Sequence, residues 1–312
     1  MKITEPGVYT LADVNEYHAD PCVVPSLSSS IAKILIRQSP LHAWTQHARF
    51  GGEEMQATRL MDTGSALHAM MLGYAEKVKR IKATFGPKTK RKELIGLPVT
   101  GYQSTEAQEE RDLIREYGDI PVLSSEWQLL TRAQTAAREQ IGLADDGPAF
   151  FGPGRSEAVV VAKDGDVWLR CMIDRLPDDH NAPPYDLKAT SLSASPGEWE
   201  RRLQREYAFQ DAFYRRVIRL AGGYDPKPMR FIVVELEPPF GVVIHAAAKT
   251  LAETAEREVG RAILRWSECT KANKWPGYPK HTAWVEASMW QMNAEDEAQQ
   301  RDDFMRKNDP IV

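Results

Sequence analysis

The stretch from Glu157 to Leu176 constrains the fold more than any other part of the chain. Two apolar runs, Glu157 to Ala162 and Val167 to Leu176, flank Lys163-Asp164-Gly165-Asp166. Asp-Gly between such runs is a strong hairpin signal, because glycine adopts the positive φ that a tight two-residue turn needs. The spacing predicts a turn at Asp164-Gly165, with Ala162 opposite Val167 and Val160 opposite Leu169. Glu157 then faces Met172, and Asp174 is its diagonal neighbour on the same face at about 7–8 Å. A third extended run, Tyr185 to Ala189, carries Asp186 and Lys188 two residues apart, so strand alternation sends both side chains to one face. Acids and a lysine converging in this order offer the hard oxygen donors that Mg²⁺ accepts. Asp-x-Lys alone says little, since such residues at strand ends are usually solvated.

Helical signals flank this core. Ser195-Pro196-Gly197-Glu198 predicts a helix start, with Ser195 as N-cap, Pro196 at the first helical position and Glu198 closing a capping box. That helix should run to Gly222-Gly223 and place Gln210 and Tyr214 on one face, together with Leu203, Glu206 and Tyr207. At 100° per residue, Arg201, Arg205, Arg215, Arg216 and Arg219 fall on the other side, toward solvent or a neighbouring subunit. Upstream, an apolar-periodic stretch from about Ala57 to Leu72 predicts a helix with Gly64 and His68 one turn apart. Taken singly, His68 reads as a hydrogen-bonded core histidine, and Gln210 and Tyr214 as packing residues. A further helix is expected from Ser124 to about Ile141, with Trp127, Leu130, Ala133, Ala137 and Ile141 inward. Strands are expected over Arg230 to Glu237 and Gly241 to Ala247, separated by Pro238-Pro239, and a helix from Lys249 to Lys271. Residues Asn293 to Val312 read as a polar, frayed helix or tail.

In this order, Gly64-x-x-x-His68, Glu157, Ile173-Asp174, Asp186-Leu187-Lys188 and Gln210-x-x-x-Tyr214 resemble the PD-(D/E)XK nuclease superfamily, in its RecB-like branch. The likeness is closest to RecE-type exodeoxyribonuclease VIII. It extends to Asn15-Glu16-Tyr17-His18, Ser28-Ser29-Ser30, Arg170-Cys171-x-x-Asp174, Gln210-Asp211-Ala212-Phe213-Tyr214 and Trp275-Pro276. Ile173 stands where the family pattern has proline, at a position that carries no ligand. The resemblance implies an α/β restriction-endonuclease-like core, a central mixed β-sheet flanked by helices. It divides the chain into an N-terminal helical layer (1–55), the nuclease domain (56–280) and a polar C-terminal helix or tail (281–312).

Carried over residue by residue, the resemblance implies that His68, Asp174 and Asp186 bind metal with the Leu187 carbonyl, Glu157 helping directly or through water. Lys188 would be the catalytic lysine that orients or deprotonates the attacking water. Gln210 and Tyr214 would steady that lysine and the substrate phosphate. The implied cofactor is Mg²⁺; a histidine nitrogen among oxygen ligands also suits Mn²⁺, so both ions should support activity. The implied reaction is 5′→3′ degradation of linear duplex DNA with free ends, leaving 3′ overhangs for a single-strand annealing protein in phage-type recombination. The enzyme would be a homo-oligomeric ring, trimeric as in lambda exonuclease or tetrameric as in the RecE type. Two alternatives stay open: an endonuclease or single-strand nuclease of phage defence with the same site, and a non-catalytic DNA-binding protein that keeps the fold.

Composition sets outer bounds. A content of 42% hydrophobic and 27% charged residues is ordinary for a globular protein. No apolar run approaches the roughly 18 residues that span a bilayer, and no secretory pattern opens the chain, so a cytoplasmic protein without membrane contact is expected. Cys22, Cys171 and Cys269 are too scattered for a zinc or iron–sulfur site. The net charge of −4 looks wrong for a DNA partner, but local potential matters more than the bulk value. Lys77, Lys79, Arg80, Lys82, Lys88, Lys90, Arg91 and Lys92 form one basic stretch. Within it Lys88, Lys90, Arg91 and Lys92 are candidate DNA contacts; the other reading is a solvated charge run.

Overall fold

Valine-rich, β-branched runs build the centre of the protein and set the order of everything around them. The computed structural model describes residues 2–11, 14–52, 59–87 and 89–308. Along the chain lie β1 (Gly7–Tyr9), α1 (Val14–His18), β2 (Leu27–Ser28), α2 (Ser29–Arg37), α3 (Pro40–Gln46), α4 (Arg59–Leu72), β3 (Val78–Arg80) and α5 (Thr105–Glu116). β4 (Ile120–Val122), α6 (Ser124–Leu143), β5 (Gly154–Asp164), β6 (Val167–Pro177) and β7 (Tyr185–Thr190) follow. The chain continues through α7 (Pro196–Arg202), α8 (Ala208–Gly222), β8 (Arg230–Glu235), β9 (Val242–His245), α9 (Lys249–Ala272) and α10 (Met289–Asn308). Two units divide it, Met1–Pro276 and Gly277–Val312.

The main sheet runs β1-β5-β6-β7-β8-β9, with β2 pairing β6 in parallel. β5 and β6 are antiparallel, β7 and β8 parallel, β8 and β9 antiparallel, so the sheet is mixed. The parallel pair is joined through α7 and α8, the crossover that parallel strands need. On one side Val160, Ala162, Leu169, Cys171 and Ile173 pack against α2, α8 and α9, including Phe209, Phe213 and Trp266. On the other, Tyr185, Leu187, Ile232 and Val234 pack against Leu67 and Met71 of α4 and Leu130 and Ile141 of α6.

The β5–β6 register differs from the expected one. Asp164 pairs Val167 and Ala162 pairs Leu169, so Gly165 and Asp166 form the turn. The reason is steric: Gly165, at φ 60°, occupies the first turn position, where Asp164 would otherwise have had to take positive φ. A shift of two residues keeps every side chain on its face, so apolar alternation could not distinguish the registers. Its consequence is that Glu157 falls in line with Asp174, not Met172.

Other expectations need adjusting. The N-terminal residues supply β1 and β2 to the sheet as well as helices. Ser195 is the N-cap of α7, but its side chain makes no capping hydrogen bond; its own N–H is donated to Ser193 Oγ. The long helix expected from there to Gly222 is interrupted by a π turn over Leu203–Tyr207. The arginines of α8 turn to acids of the same chain: Arg216 pairs with Asp164 at 2.7 Å and Glu256 at 3.2 Å, and Arg219 with Asp225 at 2.9 Å. β8 and β9 are each shorter than their expected runs, and the Pro238-Pro239 pair lies in the connection between them.

Candidate active site

Four elements of the core, α4, β5, β6 and β7, bring the ionisable residues together. α4 packs on β7 with Gly64 over Ala189, where a Cβ would make an ordinary 4.0 Å contact with the Ala189 Cβ. One turn later the same face presents His68, whose Nε2 is 3.0 Å from Asp174 Oδ2 on β6 and whose Nδ1 is 3.9 Å from Glu157 Oε1 on β5. Glu157 is held at φ 49°, in the left-handed region a side chain rarely takes, beside an acid in line on the adjacent strand. Like charges so placed repel and the backbone is strained, a combination that persists where function requires it.

Asp174 does work that a ladder carbonyl would otherwise do. β6 and β7 are paired only at Arg175 and Tyr185, so the strands part beyond that point. Leu187 N–H would be orphaned there, and Asp174 Oδ2 accepts it at 2.7 Å. On β7, Asp186 is buried; Gln210 of α8 donates to its Oδ1 at 2.5 Å, and the Lys188 ammonium lies 2.6 Å from its Oδ2. Asp186 Oδ2 is enclosed yet makes no well-directed hydrogen bond among the described residues.

The charges are set by these contacts. Burial works against the charged form of His68, but Asp174 and then Glu157 outweigh it and move its pKa up. Burial likewise opposes ionisation of Asp174, yet His68, Lys188 and the Leu187 N–H hold its carboxyl below the usual range. For Lys188, Asp186 and Asp174 overcome desolvation and raise the pKa, so it is an ammonium. Asp186 moves the other way from Asp174: burial, with Asp174 beside it, pushes it up despite Lys188 and Gln210.

Among the described residues, no three His, Cys, Asp or Glu side chains already form a metal cage. The donors satisfy one another instead, Asp174 with His68 and Asp186 with Lys188. The donor set nevertheless fits a divalent cation. Three carboxyl groups and an imidazole converge beside Lys188, and the buried Asp186 Oδ2 faces only the Lys188 ammonium, so hard oxygen donors are already gathered at one place.

The structure therefore brings His68, Glu157, Asp174, Asp186, Lys188 and Gln210 together. Leu187 enters the network through its N–H. Tyr214, one turn after Gln210, packs against the cluster of Leu203, Met229 and Phe231, and burial with Asp186 and Asp174 nearby raises its hydroxyl pKa. Sequence reasoning missed the role of Tyr207, whose ring stands over the Lys188 ammonium at 5.5 Å. Its shared face with Gln210 was legible from spacing; its place over the ammonium was not. Of the basic stretch, Lys90, Arg91 and Lys92 are exposed and Lys92 donates to the Pro87 carbonyl; Lys88 lies outside the described residues.

Residues 28–287 match the family described as a PDDEXK-like domain of unknown function (DUF3799). The chain belongs to that family. This DUF3799 protein thus has the PD-(D/E)XK fold, a mixed sheet flanked by helices. It superposes on the crystal structure of a Eubacterium rectale protein named provisionally as an exonuclease, with a TM-score of 0.56 and 11% identity over 92% of this chain and 99% of that one. An alkaline exonuclease from Laribacter hongkongensis aligns with a TM-score of 0.27 and 12% identity, over 55% of this chain and 85% of that one. No curated protein matches. Among the described residues no helix is long and apolar enough to cross a membrane.

Proposed function

We propose that this DUF3799 protein is a metal-dependent deoxyribonuclease. The observation that carries the reading is the junction where β6 and β7 part, which gathers Asp174, Asp186 and Lys188 with His68, Glu157 and Gln210. Membership of a PDDEXK-like family supports it. Asp174, Asp186, His68 and Glu157, with the Leu187 carbonyl, are the residues that would hold a divalent cation, Mg²⁺ or Mn²⁺. Such a cation, when bound, acidifies water and offsets charge on the phosphate. Leu187 N–H fixes one carboxylate oxygen of Asp174, and Gln210 fixes one of Asp186. Lys188, protonated, donates to the attacking water or to a non-bridging phosphate oxygen and stabilises the negative charge that develops there. The water oxygen bonds to phosphorus and gives up a proton to solvent, the bond to the 3′ oxygen breaks, and the departing 3′ oxygen takes up a proton.

The finer reading is a 5′→3′ exonuclease on linear duplex DNA that leaves 3′ overhangs. It works in the cytoplasm as a homo-oligomeric ring with a single-strand annealing partner, and residues 56–280 carry the chemistry. Its support is the motif order set out above and the likeness in fold to a protein named as an exonuclease. The test is a duplex labelled at either 5′ or 3′ end, presented linear or as a closed circle, with Mg²⁺ and with chelator. Early release of the 5′ label from the linear form, none from the circle and none with chelator is the expected pattern. Cleavage of the circle would redirect the reading to an endonuclease; intact DNA in every arm would refute a nuclease.

A further inference from the structure

We infer that Tyr207 is a positioning residue for Lys188, an inference that rests on the nuclease reading above. The observation is a stack of rings ending at the ammonium. Lys188 Nζ lies 5.5 Å from the centre of the Tyr207 ring. Tyr207 in turn stacks on Trp199 at 5.3 Å and 14° and meets Phe231 at 5.3 Å. Trp199 is anchored: it is buried, its indole N–H is donated to the Ser193 carbonyl at 3.2 Å, and its far neighbour His245 is 5.7 Å away at 19°.

A π turn over Leu203–Tyr207 lies between the two stacked rings. Trp199 lies on α7 before the π turn and Tyr207 at its end, so the turn changes how the two long side chains are aimed at each other. A wider turn breaks the regular path of the helix and re-aims the residues that follow it, and such turns are frequent at functional sites. Here Tyr207, at the end of the turn, stands over the lysine, and Gln210 three residues on reaches Asp186.

The ring supplies something the carboxylates cannot. Asp186 is the near counter-ion of Lys188, at 2.6 Å, yet it is also a residue assigned to a cation. When it serves the cation, the ammonium loses its closest partner. The negative face of an aromatic ring attracts an ammonium without competing for that cation. Tyr207 thus holds Lys188 at a fixed distance from the scissile phosphate while Asp186 is engaged elsewhere.

The experiment compares native protein with Tyr207→Leu, Tyr207→Phe and pentafluorophenylalanine at 207, which keeps the ring's shape but removes its negative face. The first readout is kcat and KM on duplex DNA with Mg²⁺. The second is the rate of acetylation at Lys188 relative to exposed Lys227, by mass spectrometry with saturating Mg²⁺ and without it, the Mg²⁺ arm being the one that decides. The expected result is a kcat lowered roughly tenfold in the Leu and pentafluoro variants with KM unmoved, Phe within about twofold of native, and Lys188 labelled severalfold faster in the first two. If the Leu variant fails to fold, the fluorinated variant decides alone. Active native enzyme with an equally fast pentafluoro variant and unchanged labelling overturns the role of Tyr207 alone. Native protein that leaves DNA intact overturns the nuclease reading, while the labelling still decides whether the ring holds Lys188.

Discussion

Asp211→Asn should change how stability depends on pH. Asp211 follows Gln210 on α8; its side chain is inaccessible to solvent, and its Oδ1 accepts Met229 N–H at 2.7 Å. Its Oδ2 makes no hydrogen bond, with Arg215 Nη1 at 3.9 Å. Burial is the main influence; the Met229 N–H and Arg215 offset it only in part, and the carboxyl is pushed up to about 6. The folded state therefore binds this proton more tightly than the unfolded chain, whose carboxyl titrates near 3.9. The contribution is fully present below about pH 3.9 and is lost as pH rises through about 6. At 1.36 kcal/mol for each tenfold change in affinity, the loss is about 3 kcal/mol by pH 8. Asparagine cannot ionise and keeps the acceptor for Met229. Its unpaired NH₂ adds a cost of about 1–3 kcal/mol, independent of pH. Urea unfolding of both proteins from pH 4 to pH 8 isolates the titration, because that constant cost cancels between pH values. The stability of the variant relative to native should rise by about 3 kcal/mol across the range. Parallel curves would refute the assignment of a buried, reluctantly ionised carboxylate.

Other outcomes follow from the site. Glu157→Gly should relieve the positive φ and the facing charge of Asp174, raising stability by about 1 kcal/mol while lowering nuclease rate; thermal unfolding and a cleavage assay check both. Asp186→Asn and Lys188→Ala should each lower cleavage by roughly a thousandfold with circular dichroism unchanged, and near-native rates would sink the proposed roles. His68→Ala should raise the Mg²⁺ concentration needed for half-maximal cleavage; an unchanged titration curve would return His68 to a purely structural part. Replacing Lys88, Lys90, Arg91 and Lys92 together should flatten the dependence of log affinity on log salt by roughly 0.9 per lost phosphate contact, measured on duplex DNA by fluorescence anisotropy.

The sheet was legible because it depends on short-range chemistry, whereas His68 and Gln210 were gathered with the acids only by the order of the motifs. Apolar runs, the Asp-Gly turn signal and strand alternation suffice to place Asp186 and Lys188 in one cluster and to pair β5 with β6. The spacing of Gly64 and His68 likewise reports one helix face. What escaped has no local signature. The hairpin register slipped by two residues because both registers bury the same side chains, so only the demand for positive φ at Gly165 decides. The π turn at Leu203–Tyr207 answers to ring stacking against Trp199 and Phe231, residues distant in sequence or across a helical break. α5 was invisible because its inward surface, with Ala107 against Ile81, Val99 and Leu123, is a small satellite core assembled from other segments.

The hydrogen bond from Leu187 N–H to Asp174 gives the protein an internal reporter. Amides bonded into the β7–β8 ladder are shielded by a neighbouring strand, but this one is held by a single carboxylate. Any change in what Asp174 is asked to hold must alter the exchange rate and the chemical shift of the Leu187 amide. One resolved NMR resonance would therefore follow occupancy of the site in real time, without substrate.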